Sequence, residues 1–187
     1  MDSIDADIIR RASQGDMEAF EKIYRAYAPF VYNVAYRMVE AREDAEEVTQ
    51  EVFLIVHQKL NSFLFRSSLK TWVYRITANS AINLLNKRTR EQKGRVEDFD
   101  EALAFTPGDD DARKHVVQEE SKHKIAVLLS MLNPDERACV VLRNIEGLSY
   151  EEVARSLNVN INTVRTRLKR AREKMLKGRK EVVNDEL

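Results

Sequence analysis

Apolar residues recur at three- and four-residue intervals through most of the chain, the spacing of helices with one buried face. Residues Asp7 to Ser13 begin a first helix that Gly15 closes. Asp16 caps a second helix with Phe20, Ile23, Tyr24 and Tyr27 on its apolar face. After Pro29 a third helix is expected, with Val31, Val34, Ala35 and Met38 inward. A fourth runs from Asp44 to about Leu60 and buries Val48, Val52, Phe53, Ile55 and Val56. Leu69, Trp72, Val73, Ile76, Ser80 and Leu84 keep the same period, as do Ile125, Leu128, Leu129 and Leu132.

Two capping signatures organise the C-terminal part of the chain. Asn133-Pro134-Asp135-Glu136 supplies an N-cap, a proline at the first helical position and a reciprocal glutamate, opening a helix that buries Ala138, Val141, Leu142 and Ile145 and stops at Gly147. Ser149 and Glu152 repeat the reciprocal cap. Val153, Ala154 and Leu157 share a face, and Asn158, which tolerates a left-handed backbone, ends that helix. After a short turn, Val164, Leu168, Ala171 and Met175 form a narrow stripe on a last helix starting near Ile161. Two helices joined by a tight turn in this way make a helix-turn-helix.

Between Glu91 and Glu120 the periodicity fails: Pro107-Gly108 and the run Asp109 to Asp111 read as a flexible acidic linker. The expected organisation is all-α, with two small helical domains over residues 1–92 and 121–180, a linker over 93–120 and a tail over 181–187. Only 5 glycines and 3 prolines in 187 residues agree with a helical chain, and 43% hydrophobic with 33% charged residues with a soluble one. No apolar run approaches the roughly 20 residues of a membrane span, and the acidic N-terminus does not suit a signal peptide, so a cytoplasmic protein without direct membrane insertion is expected. Cys139, the single cysteine, reads as a small core residue, and His57, His115 and His123 lack metal-ligand spacing. No phosphate-cradling loop, activated nucleophile or metal cluster is legible; no cofactor and no enzymatic activity are expected.

The zero net charge hides segregated blocks: −5 over residues 1–62, +7 over 63–95, −7 over 96–121 and +5 over 161–187. Two basic surfaces on separate modules suggest two nucleic-acid contacts, with an acidic surface for another partner. On the last helix the side opposite the stripe carries Thr166, Lys169, Arg170 and Glu173, flanked by Arg165, Arg172 and Lys174, groups able to bind phosphates and reach base edges. A solvated basic helix would show the same periodicity. Around Asn61 to Arg90, Phe63, Phe65 and Tyr74 alternate with Arg66, Lys70, Arg75, Lys87, Arg88 and Arg90. Aromatic faces in a basic groove suit unstacked single strands, although Trp72 and a phenylalanine also suit a helical core. Asp44, Glu47, Gln50 and Glu51 mark the outer face of the fourth helix, which is either a solvated surface or a docking one.

The segments GDMEAFEKIYRAY (Gly15 to Tyr27), EDAEEVTQEVFLIVHQKL (Glu43 to Leu60), LKTWVYRITANSAINLL (Leu69 to Leu85), LNPDERACVVLRNIEGLSYEEVARSL (Leu132 to Leu157) and NTVRTRLKRAREKM (Asn162 to Met175) resemble, in order and spacing, the extracytoplasmic-function sigma factors of bacterial RNA polymerase, the short members of the sigma-70 family. The resemblance implies an N-terminal domain (region 2) that binds the β′ clamp and the −10 promoter element. It implies a C-terminal domain (region 4) that binds the β flap and the −35 element. By position, Asp44, Glu47, Gln50 and Glu51 would face the polymerase clamp. Phe63, Arg66, Lys70, Arg75, Asn79, Lys87 and Arg88 would serve the −10 strand, with Trp72 packing beneath. Arg165, Thr166, Lys169 and Arg170 would meet the −35 duplex. Family members are commonly held inactive by an anti-sigma factor, often at the inner membrane, and the acidic linker would either occupy the RNA exit path or act as a tether. One departure is local: similar proteins usually read Phe-Arg-Gly-Glu where this chain has Phe63-Leu64-Phe65-Arg66.

Two other classes share part of this pattern. A helix-turn-helix regulator independent of the polymerase would use the C-terminal module but leaves Glu43 to Arg90 unexplained. An all-α adaptor would use the charged faces for protein contacts alone.

Overall fold

A computed structural model of the chain describes residues 4–94 and 124–184. The described residues hold helices and no strand. The acidic linker expected over 93–120 falls largely outside them, whereas the expected tail over 181–187 starts inside the last helix, which runs on to Asn184.

Helix α1 (Ala6–Ser13) starts where the Asp5 carboxylate accepts the Asp7 N–H at 2.9 Å, and it gives way to a turn containing Gly15 at φ +95°, a conformation that costs glycine little. Asp16 then caps α2 (Met17–Val39), accepting from the N–H groups of Glu18 and Ala19 while its other oxygen takes the Arg11 guanidinium at 2.6 Å. These bonds hold the Asp16 carboxyl below its usual range.

The break expected after Pro29 does not occur: α2 continues through it as one helix. A proline inside a helix costs about 3 kcal/mol. Here the apolar stripe Ile23, Tyr27, Phe30, Val31, Val34, Ala35 and Met38 keeps its phase across the proline and is buried along its whole length, while Pro29 itself is exposed. Burial of that stripe outweighs one lost backbone bond. Tyr24, expected inward, is half exposed because Ile23 and Tyr27 occupy the core positions; it lies edge-on to Phe53 at 4.6 Å.

Helix α3 (Arg42–Lys59) buries Ala45, Val48, Val52, Phe53 and Val56, and a 3-10 turn (Leu60–Ser62) leads to the loop before α4 (Leu69–Gly94). The first turn of α4 is capped by the Ser68 hydroxyl, which accepts the Thr71 N–H at 3.1 Å. Val73, Tyr74, Ile76, Ala78 and Ala81 turn into the shared core of α2, α3 and α4.

In the second module, residues 124–130 form α5, with Leu129 and Leu132 buried and Ile125, expected inward, half exposed at its start. Helix α6 (Pro134–Val140) has both bonds of the reciprocal cap, Glu136 N–H to Asn133 at 2.9 Å and Asn133 N–H to Glu136 at 3.3 Å. It widens into a π-turn (Val141–Ile145) instead of running on as α-helix to Gly147. Helices α7 (Tyr150–Leu157) and α8 (Ile161–Asn184) complete the module. The two modules touch: α7 and α6 pack on α4, and α6 also reaches α2.

Candidate nucleic-acid interface

The C-terminal face is built by its caps. Ser149 N–H donates to Glu152 at 2.8 Å and Glu152 N–H to the Ser149 hydroxyl at 3.2 Å, which fixes the start of α7 and lowers the Glu152 pKa. Asn158 takes φ +52°, and the Asn160 side chain accepts from Asn162 N–H at 2.8 Å to launch α8. Val164 and Ala171 are buried, with Leu168 and Met175 packed against the core. That leaves Arg165, Thr166, Lys169 and Arg170 exposed along the opposite side. Arg165 donates to the Asn162 side chain at 3.0 Å, and Thr166 donates to the Asn162 carbonyl at 2.9 Å. Two neighbouring cations are engaged instead in holding α8 to α6: Arg167 pairs with Asp135 at 2.9 Å and Lys174 with Glu136 at 2.7 Å. An open polar groove lies between Asn133, Asp135, Thr166 and Arg170.

In the N-terminal module Arg66, Arg75 and Lys87 are exposed, and Asn79 is half buried one turn beyond Arg75 on α4. Phe63 is only 8% exposed and packs its ring 5.4 Å from Trp72 and 4.9 Å from Phe65, so it lies beneath the loop surface. The exposed ring is Phe65, at 48%, with the Arg10 guanidinium over it at 5.8 Å. Phe65 also adopts φ +55°, a left-handed conformation that favours glycine. Lys70 is half buried, its ammonium 5.6 Å from the ring centres of both Phe30 and Tyr74.

The acidic helix face needs one correction. Glu47, Gln50 and Glu51 are exposed, but Asp44 is not on the outer face: it is 1% exposed, and the Arg88 guanidinium of α4 donates to it. Its place in the first turn of α3 turns it toward α4, and burial raises its pKa while Arg88 lowers it. The pairing also engages Arg88. Beside Gln50 and Glu51 stands Leu54, 63% exposed. Periodicity assigns apolar residues inward, yet Leu54 falls outside the Val48, Val52 and Val56 stripe; that phase mismatch was the available signal.

A basic, aromatic-bearing loop and helix on one bundle, with a helix-turn-helix on a second, are the layout of a nucleic-acid-binding regulator. Residues 23–91 match the family Sigma-70 region 2 and residues 122–175 match Sigma-70, region 4. The chain is 32% identical over 178 residues to the RNA polymerase sigma-H factor of Pseudomonas aeruginosa, covering 90% of each chain. It is 32% identical over 174 residues to the ECF RNA polymerase sigma-E factor of Escherichia coli K12, covering 90% of this chain and 91% of that one. A third relative, the ECF RNA polymerase sigma factor SigE of Mycolicibacterium smegmatis, is 33% identical over 165 residues; the chain spans 62% of its length. Among solved structures, the sigma factor RpoE in complex with the anti-sigma factor NepR from Bartonella quintana superposes with a TM-score of 0.65 at 26% identity, over 84% of this chain and 94% of that one. CnrH, in complex with the cytosolic domain of CnrY, shares the fold with a TM-score of 0.64 at 20% identity, over 94% and 96%. The chain belongs to the extracytoplasmic-function sigma factors of the sigma-70 family, non-enzymatic proteins that direct RNA polymerase to promoters.

Proposed function

We propose that the chain divides promoter selection between its modules. The exposed row Arg165, Thr166, Lys169 and Arg170 reads the −35 duplex from α8, with Arg167 and Lys174 holding that helix in place. Arg66, Arg75, Asn79 and Lys87, with the exposed ring of Phe65, receive the unstacked −10 strand, over a floor of Phe63 and Trp72. Lys70 sets its ammonium against the Phe30 and Tyr74 rings, and Arg88 orients α3 through Asp44. Glu47, Gln50 and Glu51 surround Leu54 in an acidic face with an apolar centre, complementary to a basic helical partner such as the polymerase clamp. RNA polymerase core and promoter DNA are the partners of this reading. An anti-sigma protein is a further one, because a solved relative, the Bartonella quintana sigma factor, was crystallised with such a protein. The described residues include no helix long and apolar enough to cross a membrane, and the reading places the chain in the cytoplasm beside the polymerase.

The observation that carries this reading is the exposed reading row on α8, set opposite a buried stripe and launched by a capped turn. The test is transcription by purified core polymerase with and without the protein on genomic fragments. Discrete new start sites that vanish with Arg165→Ala and Arg170→Ala support it; starts unchanged by both substitutions would sink the α8 assignment.

A further inference from the structure

Helix α1 has no part in the promoter contacts proposed above, yet one of its cations stands at the edge of the −10 surface. Asp5 caps the helix, Ile9 and Ala12 bury its inner side, and it packs on α2 and on the 3-10 turn that leads into the Phe63 to Arg66 loop. Its last turn carries two successive arginines with different surroundings. Arg11 is committed to Asp16, donating to one carboxylate oxygen through Nε at 2.9 Å and through Nη2 at 2.6 Å. Arg10 is exposed and has no carboxylate partner among the described residues; its guanidinium lies over the Phe65 ring, 5.8 Å from the ring centre.

That ring is the one the loop holds outward. Phe63 touches it from within at 4.9 Å, and Phe63 in turn rests on Trp72, so the exposed ring sits on a packed base. A nucleic-acid base that stacked on Phe65 would need the ring face that Arg10 overlies. The two contacts differ in strength. A cation over a ring at an exposed site is worth less than a base stacked on the same ring. The base therefore displaces the guanidinium, and the displaced group stays tethered to a helix whose backbone is fixed by a cap, an ion pair and two buried side chains. It is a permanent cation with planar, forked donors, and a stacked nucleotide brings its own phosphate to the rim of the ring. Arg66, exposed and next in sequence to Phe65, marks the same rim as cationic.

We propose that Arg10 covers the Phe65 ring in the free protein, yields the ring to an unpaired base of the promoter strand, and then binds a phosphate of that strand. The proposal rests on the −10 reading above and adds α1 to the surface that holds the strand. Arg10 was hidden in the sequence because it lies in a block whose net charge is −5, remote from the basic block of residues 63–95.

The test uses the full chain and a short oligothymidylate carrying one central 2-aminopurine, whose fluorescence falls on stacking; stacking on an aromatic side chain tolerates any base. Affinity is measured against salt for the wild type, Arg10→Ala and Arg10→Lys, with melting followed by circular dichroism as the fold control. Arg10→Ala is expected to keep the quench and the melting temperature and to lower the log–log salt slope by about 0.7, one phosphate contact on a single strand. Its affinity should fall below the wild type at low salt and rise above it at high salt, because there the phosphate contact is screened and no cation has to leave the ring. Arg10→Lys should restore the slope, since an ammonium also serves a phosphate.

An unchanged slope in Arg10→Ala, or one that Arg10→Lys does not restore, would overturn the phosphate contact. A lowered slope without the crossing at high salt would overturn the exchange at the ring. Loss of quench together with a lower melting temperature would make Arg10 a support of the loop and overturn the proposal. Arg75→Ala and Lys87→Ala report the −10 reading separately. If they lower the slope and Arg10→Ala does not, the Arg10 assignment fails and that reading stands. If Arg10→Ala alone lowers it, the α4 part of the reading fails and the Arg10 contact stands. No binding by the wild type would overturn both.

Discussion

Arg88 of α4 donates to Asp44 of α3, joining a residue expected on the −10 surface to one expected on the polymerase surface. Asp44 is buried with its second oxygen unpartnered, so its charge depends on Arg88. Arg88→Ala strands that carboxylate and is expected to cost about 1–3 kcal/mol in urea unfolding, against little for exposed Arg90→Ala. Because the folded-state pKa of Asp44 is raised above 3.8, the protonated form is favoured on folding. Its contribution is present at acid pH and lost as pH rises through the raised value. Asp44→Asn should flatten that segment of the stability profile; an unchanged profile would show that Arg88 fully compensates the burial.

Phe65 raises a different conflict. A left-handed backbone costs a non-glycine residue roughly 1–2 kcal/mol, whereas its ring contact with Phe63 is worth about 0.5–1.5 kcal/mol. Phe65→Gly exchanges one for the other, and stability should move by under about 1 kcal/mol. Phe65→Val keeps the strain and loses the ring, so it should be clearly destabilising. If the ring stacks on an unpaired base, both variants should also lose about 1–3 kcal/mol of affinity for a single-stranded −10 oligonucleotide. Full affinity in both would remove Phe65 from the DNA surface.

The cations of α8 divide by their partners. Arg170 is exposed, and Arg165 is exposed with a bond only to Asn162, whereas Arg167 is paired with Asp135 and half buried. Arg165→Ala and Arg170→Ala should each lower the salt dependence of duplex binding by about one phosphate contact, near 0.9 in the log–log slope. Arg167→Ala should instead lower the melting temperature of the second module and leave the slope unchanged. A slope that falls equally for all three would mean that the Asp135 pair opens on DNA.

Cys139 offers a probe of that module. Burial pushes its thiol up to about 11, with Arg167 acting in the opposite direction. A raised thiol pKa contributes stability that is present below its ordinary value near 9 and lost as pH rises toward 11. Alkylation at pH 8 should be slow in the folded protein and rapid in urea. Equal rates would mean that α6 opens freely.

The local features were legible because each is encoded within a few residues. The caps at Asn133 and Ser149, the left-handed Asn158 and the outward set Thr166, Lys169 and Arg170 follow from spacing alone. At Pro29 the local rule against proline in a helix yields to the apolar stripe that continues on both sides of it. Asp44, Glu146 and Arg137 were not legible for another reason. Their partners lie 44, 109 and 99 residues away in sequence, at Arg88, Arg37 and Met38, and no periodicity records such a pairing. Phe63 and Phe65 both stand beside the cations in the sequence, and a loop without a period gives no phase to tell the buried ring, Phe63, from the exposed one, Phe65.

Leu54 provides the most direct test of the acidic face. A leucine that is 63% exposed contributes little to the fold, so Leu54→Ala should leave the melting temperature almost unchanged. If it is the apolar centre of the polymerase contact, its truncation should cost more than about 1 kcal/mol of binding, a several-fold loss of affinity. Glu47→Lys with Gln50→Ala should weaken binding further, slow association and reduce the loss of affinity on adding salt, because charges at an interface rim act mainly through steering. The isolated −35 duplex serves as the control ligand, and its affinity should be the same in all these variants. Loss of polymerase binding in the charge variants but not in Leu54→Ala would identify an electrostatic face without an anchor. Full binding in every variant would move the polymerase contact off α3.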